Sequence, residues 1–232
     1  MSSERPLASL LGRYSLPEAA GTRLAALVEL ISTHPAAPTT IRDPQRVLDD
    51  HLADALVALE LREVLGATSI ADLGSGAGIP GLPLAIALPD AHVALVESNG
   101  RKQAFIEQAI SVCRIGNAEA VQARAEAWDA GRERHDVVTA RALAPLPVVA
   151  EYAAPLLRIG GALVVWRGRR DPAEEAAGAR AAGALGLEPA EPLAVDPYPG
   201  AHHRHLHVMR KIAPTPARFP RRPGVARKRP LT

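Results

Sequence analysis

Between Ser69 and Pro80 the chain reads Ser-Ile-Ala-Asp-Leu-Gly-Ser-Gly-Ala-Gly-Ile-Pro, and no other stretch restricts the possible fold as strongly. A short apolar run ends near Asp72, glycines occupy positions 74, 76 and 78, and an apolar helix pattern follows from Leu82 to Leu88. Strand, tight glycine turn and helix form the mononucleotide half-site of a doubly wound α/β fold. Glycines let the backbone turn sharply and approach a ligand that a Cβ would hold off. The same arrangement predicts free backbone N–H groups facing the ligand at the helix start.

Residues 76 to 81, Gly-Ala-Gly-Ile-Pro-Gly, also spell the GxGxxG of a dinucleotide site. The strand ends at Leu73, however, so the turn begins at Gly74 and reads Asp-x-Gly-x-Gly-x-Gly from Asp72. That register resembles an S-adenosylmethionine-dependent methyltransferase and marks Asp72, Gly74, Gly76 and Gly78 as cofactor-loop residues. A second strand, His92 to Glu97, ends in an acid 23 positions after Gly74. A carboxylate there accepts hydrogen bonds from both hydroxyls of a ribose. A third strand, Ala118 to Gln122, places Arg124-Ala-Glu126 at its carboxyl end, where ligands bind in open sheets. A fourth, Asp136 to Ala140, places Arg141 at its tip.

The rest of the chain fits around this unit. Residues 4 to 33 read as one or two helices that cap the sheet. Asp43-Pro44 opens another helix, with an N-cap acid and proline at the first turn. Its apolar stripe is Leu48, Leu52, Ala55, Leu56 and Leu59. It carries His51 and Asp54, three apart and therefore on one face, which fits either a surface pair or a cleft-lining pair. A helix over Pro147 to Leu157, a turn at Gly160-Gly161 and a fifth strand over Ala162 to Trp166 come next. A helix over Pro172 to Leu185, a sixth strand over Leu193 to Asp196 and a last strand over His203 to Met209 complete the pattern. This gives a helical extension at 1–66, a methyltransferase domain at 67–212 and a basic, proline-rich tail at 213–232. Cys113 falls on an apolar helix face and reads as core. The histidines at 202, 203, 205 and 207 lack a cysteine or a nearby acid pair, and no metal is assigned.

The chain is 47% apolar with a single cysteine, which excludes a disulfide framework and fits a reducing compartment. No leader or spanning segment is apparent, so the expectation is a cytoplasmic monomer without membrane attachment. Of 27 basic residues, eight lie from Arg210 onward with no acid among them, leaving 19 basic against 25 acidic residues before that point. A basic tail on an acidic body predicts contact with a polyanion. Five prolines and the basic run from Ile212 predict an extended tail without regular structure, adding RNA affinity. The alternative is a tail that packs on the domain through Phe219 and its prolines.

The tip of the fourth strand, Thr139-Ala-Arg-Ala142, has neither the Asn/Asp-Pro-Pro-Tyr/Phe that resembles sites for exocyclic amino nitrogens nor a Pro-Cys nucleophile for cytosine C5. A target with its own free lone pair needs neither, and guanine N7 is such a target. Orientation and electrostatics then carry the catalysis, with no acid–base residue required. Arginine paired to guanine O6 and N7 would block the attacking lone pair, so arginines are expected on phosphate or cofactor.

With these residues in view, the chain resembles the RsmG/GidB family of bacterial 16S rRNA guanine-N7 methyltransferases. The resemblance covers Arg42-Asp43-Pro44 with His51-Leu-Ala-Asp54, Ile70 to Pro80, Leu95 to Lys102 and Arg124-Ala-Glu126. It continues through Val138 to Ala142, Arg204 to Lys211, and the Thr215 to Gly224 ending. It implies a class I methyltransferase fold, seven strands with the last antiparallel, and S-adenosylmethionine as cofactor. It carries cofactor contacts over to Gly74, Ile79, Ala125, Glu126 and Arg141. It implies a guanosine in the 530 loop of 16S rRNA, usually position 527, as target, and a link between loss of activity and low-level streptomycin resistance. Arg141, His51 and Asp54 are the orienting candidates. The chain departs from the family at Glu97, where an aspartate is usual, at Trp166-Arg167, where a lysine is usual, and at Thr39-Thr40-Ile41 in place of Asn-Leu-Thr. A nicotinamide oxidoreductase and a non-catalytic RNA-binding protein are the alternatives from other classes.

Overall fold

A computed structural model describes residues 4–231. Strands β1 (Ser69–Leu73), β2 (His92–Glu97), β3 (Ala118–Gln122), β4 (His135–Arg141) and β5 (Leu157–Arg167) pair in parallel. Strands β6 (Leu187–Pro189), β7 (Leu193–Ala194) and β8 (His205–Lys211) follow, with β8 antiparallel to β5, β6 and β7. The sheet order is β3-β2-β1-β4-β5-β8-β6, with β7 beside β8. This is the expected class I arrangement with the last strand antiparallel and one two-residue strand added. The sixth strand forms at Leu187–Pro189, before the predicted span, of which only Leu193–Ala194 pairs. The order reverses between β1 and β4, so a crevice opens at their carboxyl ends.

Ten helices flank the sheet among the described residues. They are α1 (Glu4–Arg13), α2 (Glu18–Thr33), α3 (Pro44–Val47), α4 (Asp54–Leu56), α5 (Arg62–Leu65), α6 (Gly81–Ala87), α7 (Gly100–Val112), α8 (Leu146–Ala153), α9 (Pro172–Leu185) and α10 (Val225–Lys228). Alternation along the strands sorts side chains to two cores. Ile70, Val137 and Val164 join Leu24, Leu27, Leu52, Leu82 and Ile106 on one face. Ala71, Leu73, Val138, Leu163 and Val165 join Val149, Leu157, Leu185 and Phe219 on the other. Each fully buried Leu or Ile contributes roughly 1.5–3 kcal/mol by leaving water. By the same parity Thr139 and Arg141 share the face of Val137, toward the N-terminal helices, while Leu143 joins the opposite core.

Three local expectations change. The helix after Asp43 is not uniform: α3 passes into a π turn at Leu48–Ala53, then α4, then a 3₁₀ turn at Val57–Glu60. Its N-cap is as expected, with Asp43 Oδ1 accepting from Arg46 N at 2.9 Å. The Arg141 guanidinium donates to Asp50 O within the π turn at 2.9 Å, an insertion of the kind that opens a helical ladder. Strand β5 begins at Leu157 rather than after Gly160-Gly161, with an irregularity in its pairing to β4. A Cβ on Gly161 would lie 2.8 Å from Asp136 O, so only glycine allows the backbones to approach there.

The tail is the third. It holds the short helix α10, against the expectation of no regular structure. Phe219 and Ala226 are buried in the second core, which supplies the tertiary contacts that composition does not reveal.

Candidate functional site

The glycine loop joins β1 to α6. Gly74, Gly76 and Gly78 have φ of +68°, +57° and +81°. A Cβ on Gly74 would lie 2.6 Å from Leu143 Cδ1, and one on Gly78 would lie 2.3 Å from Leu82 Cδ1, so conformation and space both demand glycine. Most N–H groups of the loop, expected to be free, are bonded within the protein. Gly74 and Ser75 donate to Val96 O, Gly78 and Ile79 to Ser75 O, Gly76 to Glu97 and Gly81 to Asp72. The glycines therefore bring a compact backbone close to the cleft, and the helix start is not an anion site.

Asp72 is fully buried behind this loop. Its Oδ2 accepts from Gly81 N at 3.1 Å and its Oδ1 from Thr139 Oγ1 at 2.9 Å. Burial pushes its pKa up to about 6 against the pull of these donors. Glu97 closes β2, with Oε2 accepting from Gly76 N at 3.2 Å and Oε1 from Asn99 N at 2.8 Å. Ile79 is buried in the first core.

A cleft of about 210 Å³ lies at the carboxyl ends of the strands. Gly74, Val96, Ala125, Glu126, Leu143 and Tyr152 line it, together with Gly224 and Arg227 of the tail. Gly74, Ala125 and Glu126 thus line one cleft. Arg141 does not line this cleft. It lines a second pocket of about 470 Å³ with Ile41, Arg46, Asp50, Asp54, Trp166, Arg167 and Arg204. The β4 tip serves both: Arg141 and Ala142 border the second pocket and Leu143 the first. Ala142 has φ +53°, which turns the chain between them.

The second pocket is a network of charges. Arg141 Nη1 donates to Asp54 Oδ2 at 2.6 Å and its Nη2 to His51 Nδ1 at 2.8 Å. Guanidinium has no acceptor, so His51 Nδ1 accepts and Nε2 carries the proton, donated to Thr39 Oγ1 at 2.9 Å. Burial, then the adjacent guanidinium, pushes the His51 pKa down to about 4. A neutral imidazole with both nitrogens engaged holds Arg141 and is not a proton acceptor for substrate. Burial raises the Asp54 pKa, while the guanidiniums of Arg141 and Arg204 favour its charge. Asp50 accepts from Tyr198 at 2.5 Å and pairs with Arg46 at 3.0 Å; these donors lower its pKa although burial opposes them. Trp166 Nε1 donates to Asp54 O at 2.6 Å and Arg167 pairs with Glu174 at 3.0 Å. The His51–Asp54 pair and Arg141, read from different elements, therefore form one cluster.

Sequence reading missed Asp50, Tyr198, Arg204 and Thr39 in this network, and Tyr152, Gly224 and Arg227 at the cleft. Arg204 lay inside a family-like motif and Thr39 inside a departure from one, neither with a stated role, and Asp50 directly precedes His51. Nothing local marks Tyr198, 148 positions from Asp50. Cys113 is core as read, its thiol pushed up to about 11 by burial. No helix of the described residues is long and apolar enough to cross a membrane.

Sheet order, glycine loop and strand-end cleft define a class I S-adenosylmethionine-dependent methyltransferase. The fold is shared with the mitomycin 7-O-methyltransferase MmcR, at TM-score 0.60 and 14% identity, covering 80% of this chain and 60% of that one. It is also shared with Aeropyrum pernix fibrillarin, solved with S-adenosyl-L-methionine bound, at TM-score 0.52 and 19% identity, covering 68% and 72%.

The particular family follows from closer relatives. A family model described as rRNA small subunit methyltransferase G matches residues 26–196. Ribosomal RNA small subunit methyltransferase G of Chloroflexus aggregans is 44% identical over 199 residues, 83% of this chain and 82% of that protein. Its counterpart from Rubrobacter xylanophilus is 41% identical over 196 residues, 82% and 75%. The chain belongs to the rRNA small subunit methyltransferase G family.

Proposed function

We propose that this rRNA methyltransferase transfers the methyl group of S-adenosylmethionine to N7 of a guanosine in the 530 loop of 16S rRNA, usually position 527. The observation that carries this reading is the second pocket, which borders the cofactor cleft through Arg141, Ala142 and Leu143 and in which the imidazole is locked neutral. Guanine N7 attacks the sulfonium methyl in line. The N7–carbon bond forms as the sulfur–carbon bond breaks, and sulfur keeps the electron pair as S-adenosylhomocysteine. The positive charge passes from sulfur to the purine, and no proton leaves. Orientation of two reactants accounts for the rate.

In this reading the methionine end of the cofactor lies over Gly74 to Gly78, with Asp72 holding the loop from behind. Glu97 binds the ribose, exchanging its backbone donors for hydroxyls, and Ala125-Glu126 border the nucleoside. Ile79 supports the loop from the core. Arg141 orients the target side rather than the cofactor, positioned by His51 and Asp54. Arg167 has a buried Nε with no partner among the described residues and faces this pocket. With Trp166 it stands where the family usually has a lysine. The protein acts as a cytoplasmic monomer on rRNA or the small ribosomal subunit. Incubation of the chain with methyl-labelled S-adenosylmethionine and either deproteinised 16S rRNA or assembled subunits tests the reading. Label in 16S rRNA is expected; label in neither substrate contradicts it.

A further inference from the structure

The tail leaves β8 at Lys211 and doubles back across the molecule. Lys211 Nζ donates to Ala154 O at 2.8 Å and contacts Thr215, whose hydroxyl donates to Leu185 O at 3.1 Å. Further on, Arg221 forks onto Glu151, with Nε to Oε1 at 2.9 Å and Nη2 to Oε2 at 2.5 Å. Its backbone N also donates to Glu151 Oε1, at 3.0 Å. Glu151 is fully buried, so this pair fixes where the chain goes next. It goes to the cofactor cleft. Gly224, at φ +82°, turns the chain and donates its N–H to Glu126 Oε1 at 3.1 Å. Ala226 is buried, and Arg227 Nη2 donates to Leu143 O at 3.1 Å.

Glu126 follows β3 and Leu143 follows β4, so the strap spans the cleft from one side to the other. The basic residues expected to seek RNA are in part committed to this course. Residues 224–227 also lie beyond the 26–196 span of the family match.

We infer that the segment Gly224 to Arg227 is a wall of the cofactor site, and that Arg227 is a positioning residue that retains the nucleoside end of S-adenosylmethionine. The inference rests on the reading of the cleft as the cofactor site. Strand order supports the end assigned: with the methionine end at the β1 loop and the ribose at β2, the base lies toward β3 and Glu126. A planar guanidinium at that mouth both donates hydrogen bonds and lies against an aromatic face.

The test uses the full chain as Arg227→Ala, Arg227→Lys and, as a control outside the cleft, Lys228→Ala. S-adenosylhomocysteine affinity is measured by calorimetry, its release by a chase, and melting alongside. Arg227→Ala is expected to weaken affinity about 5- to 20-fold, mainly through faster release. KM for S-adenosylmethionine should rise, with kcat at saturation and KM for rRNA unchanged. Arg227→Lys should recover part of the affinity, and Lys228→Ala should match the parent. Wild-type affinity and release in Arg227→Ala would overturn the inference. So would a loss of RNA binding with cofactor binding intact, or a lower melting temperature in Arg227→Ala with cofactor affinity unchanged. Failure of the parent chain itself to bind S-adenosylhomocysteine would instead overturn the cofactor reading on which the inference stands.

Discussion

Ala142 sits at φ +53° between two pockets. A left-handed backbone costs a side-chain-bearing residue roughly 1–2 kcal/mol, and more when the side chain is β-branched. Ala142→Gly should therefore hold or raise stability in a urea melt, and Ala142→Val should lower both stability and turnover. Next to it, Arg141 makes bonds to Asp54, His51 and the Asp50 carbonyl that need a rigid fork. Arg141→Lys keeps the charge and loses the fork. Turnover should fall about 10²-fold; parental turnover would remove Arg141 from the orienting role. His51 carries a pH signature. Its folded pKa of about 4 lies below its ordinary 6.5, so folding favours the neutral ring. That contribution is complete above pH 6.5 and is lost as pH falls from 6.5 through about 4. His135, also held down to about 4 by burial and then by His92, acts in the same sense. His51→Gln should lose less stability over that interval than the parent, by about 1–2 kcal/mol after allowance for solvent screening.

Elements divide by how local their causes are. The β1 loop was readable because strand, glycines and helix start lie within a dozen positions, and all three glycines adopt the positive φ that a tight turn needs. The strand-end positions of Glu97, Glu126 and Arg141 follow from the same reading. The side of the sheet that Arg141 faces needed β4 parity and its helical partner. The π turn escaped because its cause is Arg141, 91 positions away from Asp50. The tail escaped for a related reason: proline content and charge describe the chain alone, whereas Phe219 and Arg221 are held by α8 and its neighbours. Arg221→Ala leaves Glu151 fully buried without its counter-charge, at about 3–5 kcal/mol. For a chain of this size the melting temperature should then drop by roughly 6–20 °C. A drop under about 2 °C would mean that the strap does not hold the fold.

At the scale of the whole molecule, two pockets meet at one strand tip. One combines a compact glycine backbone with Glu97, Ala125-Glu126 and the returning tail. The other sets guanidiniums of Arg46, Arg141 and Arg204 against Asp50 and Asp54. Under the proposed function, ion pairing inside that pocket orients the arginines before RNA arrives, so less ordering remains to be done on binding. The central claim is that this arrangement delivers a methyl group to a lone pair that needs no deprotonation. Its most direct test is to methylate 16S rRNA with the purified chain, cleave the RNA chemically at 7-methylguanosine, and locate the break by primer extension. The account predicts one new cleavage, in the 530 loop, absent when S-adenosylmethionine is omitted. Methyl label that enters the RNA without creating a cleavage site there would contradict it, because the acceptor atom would then not be N7 of that guanosine.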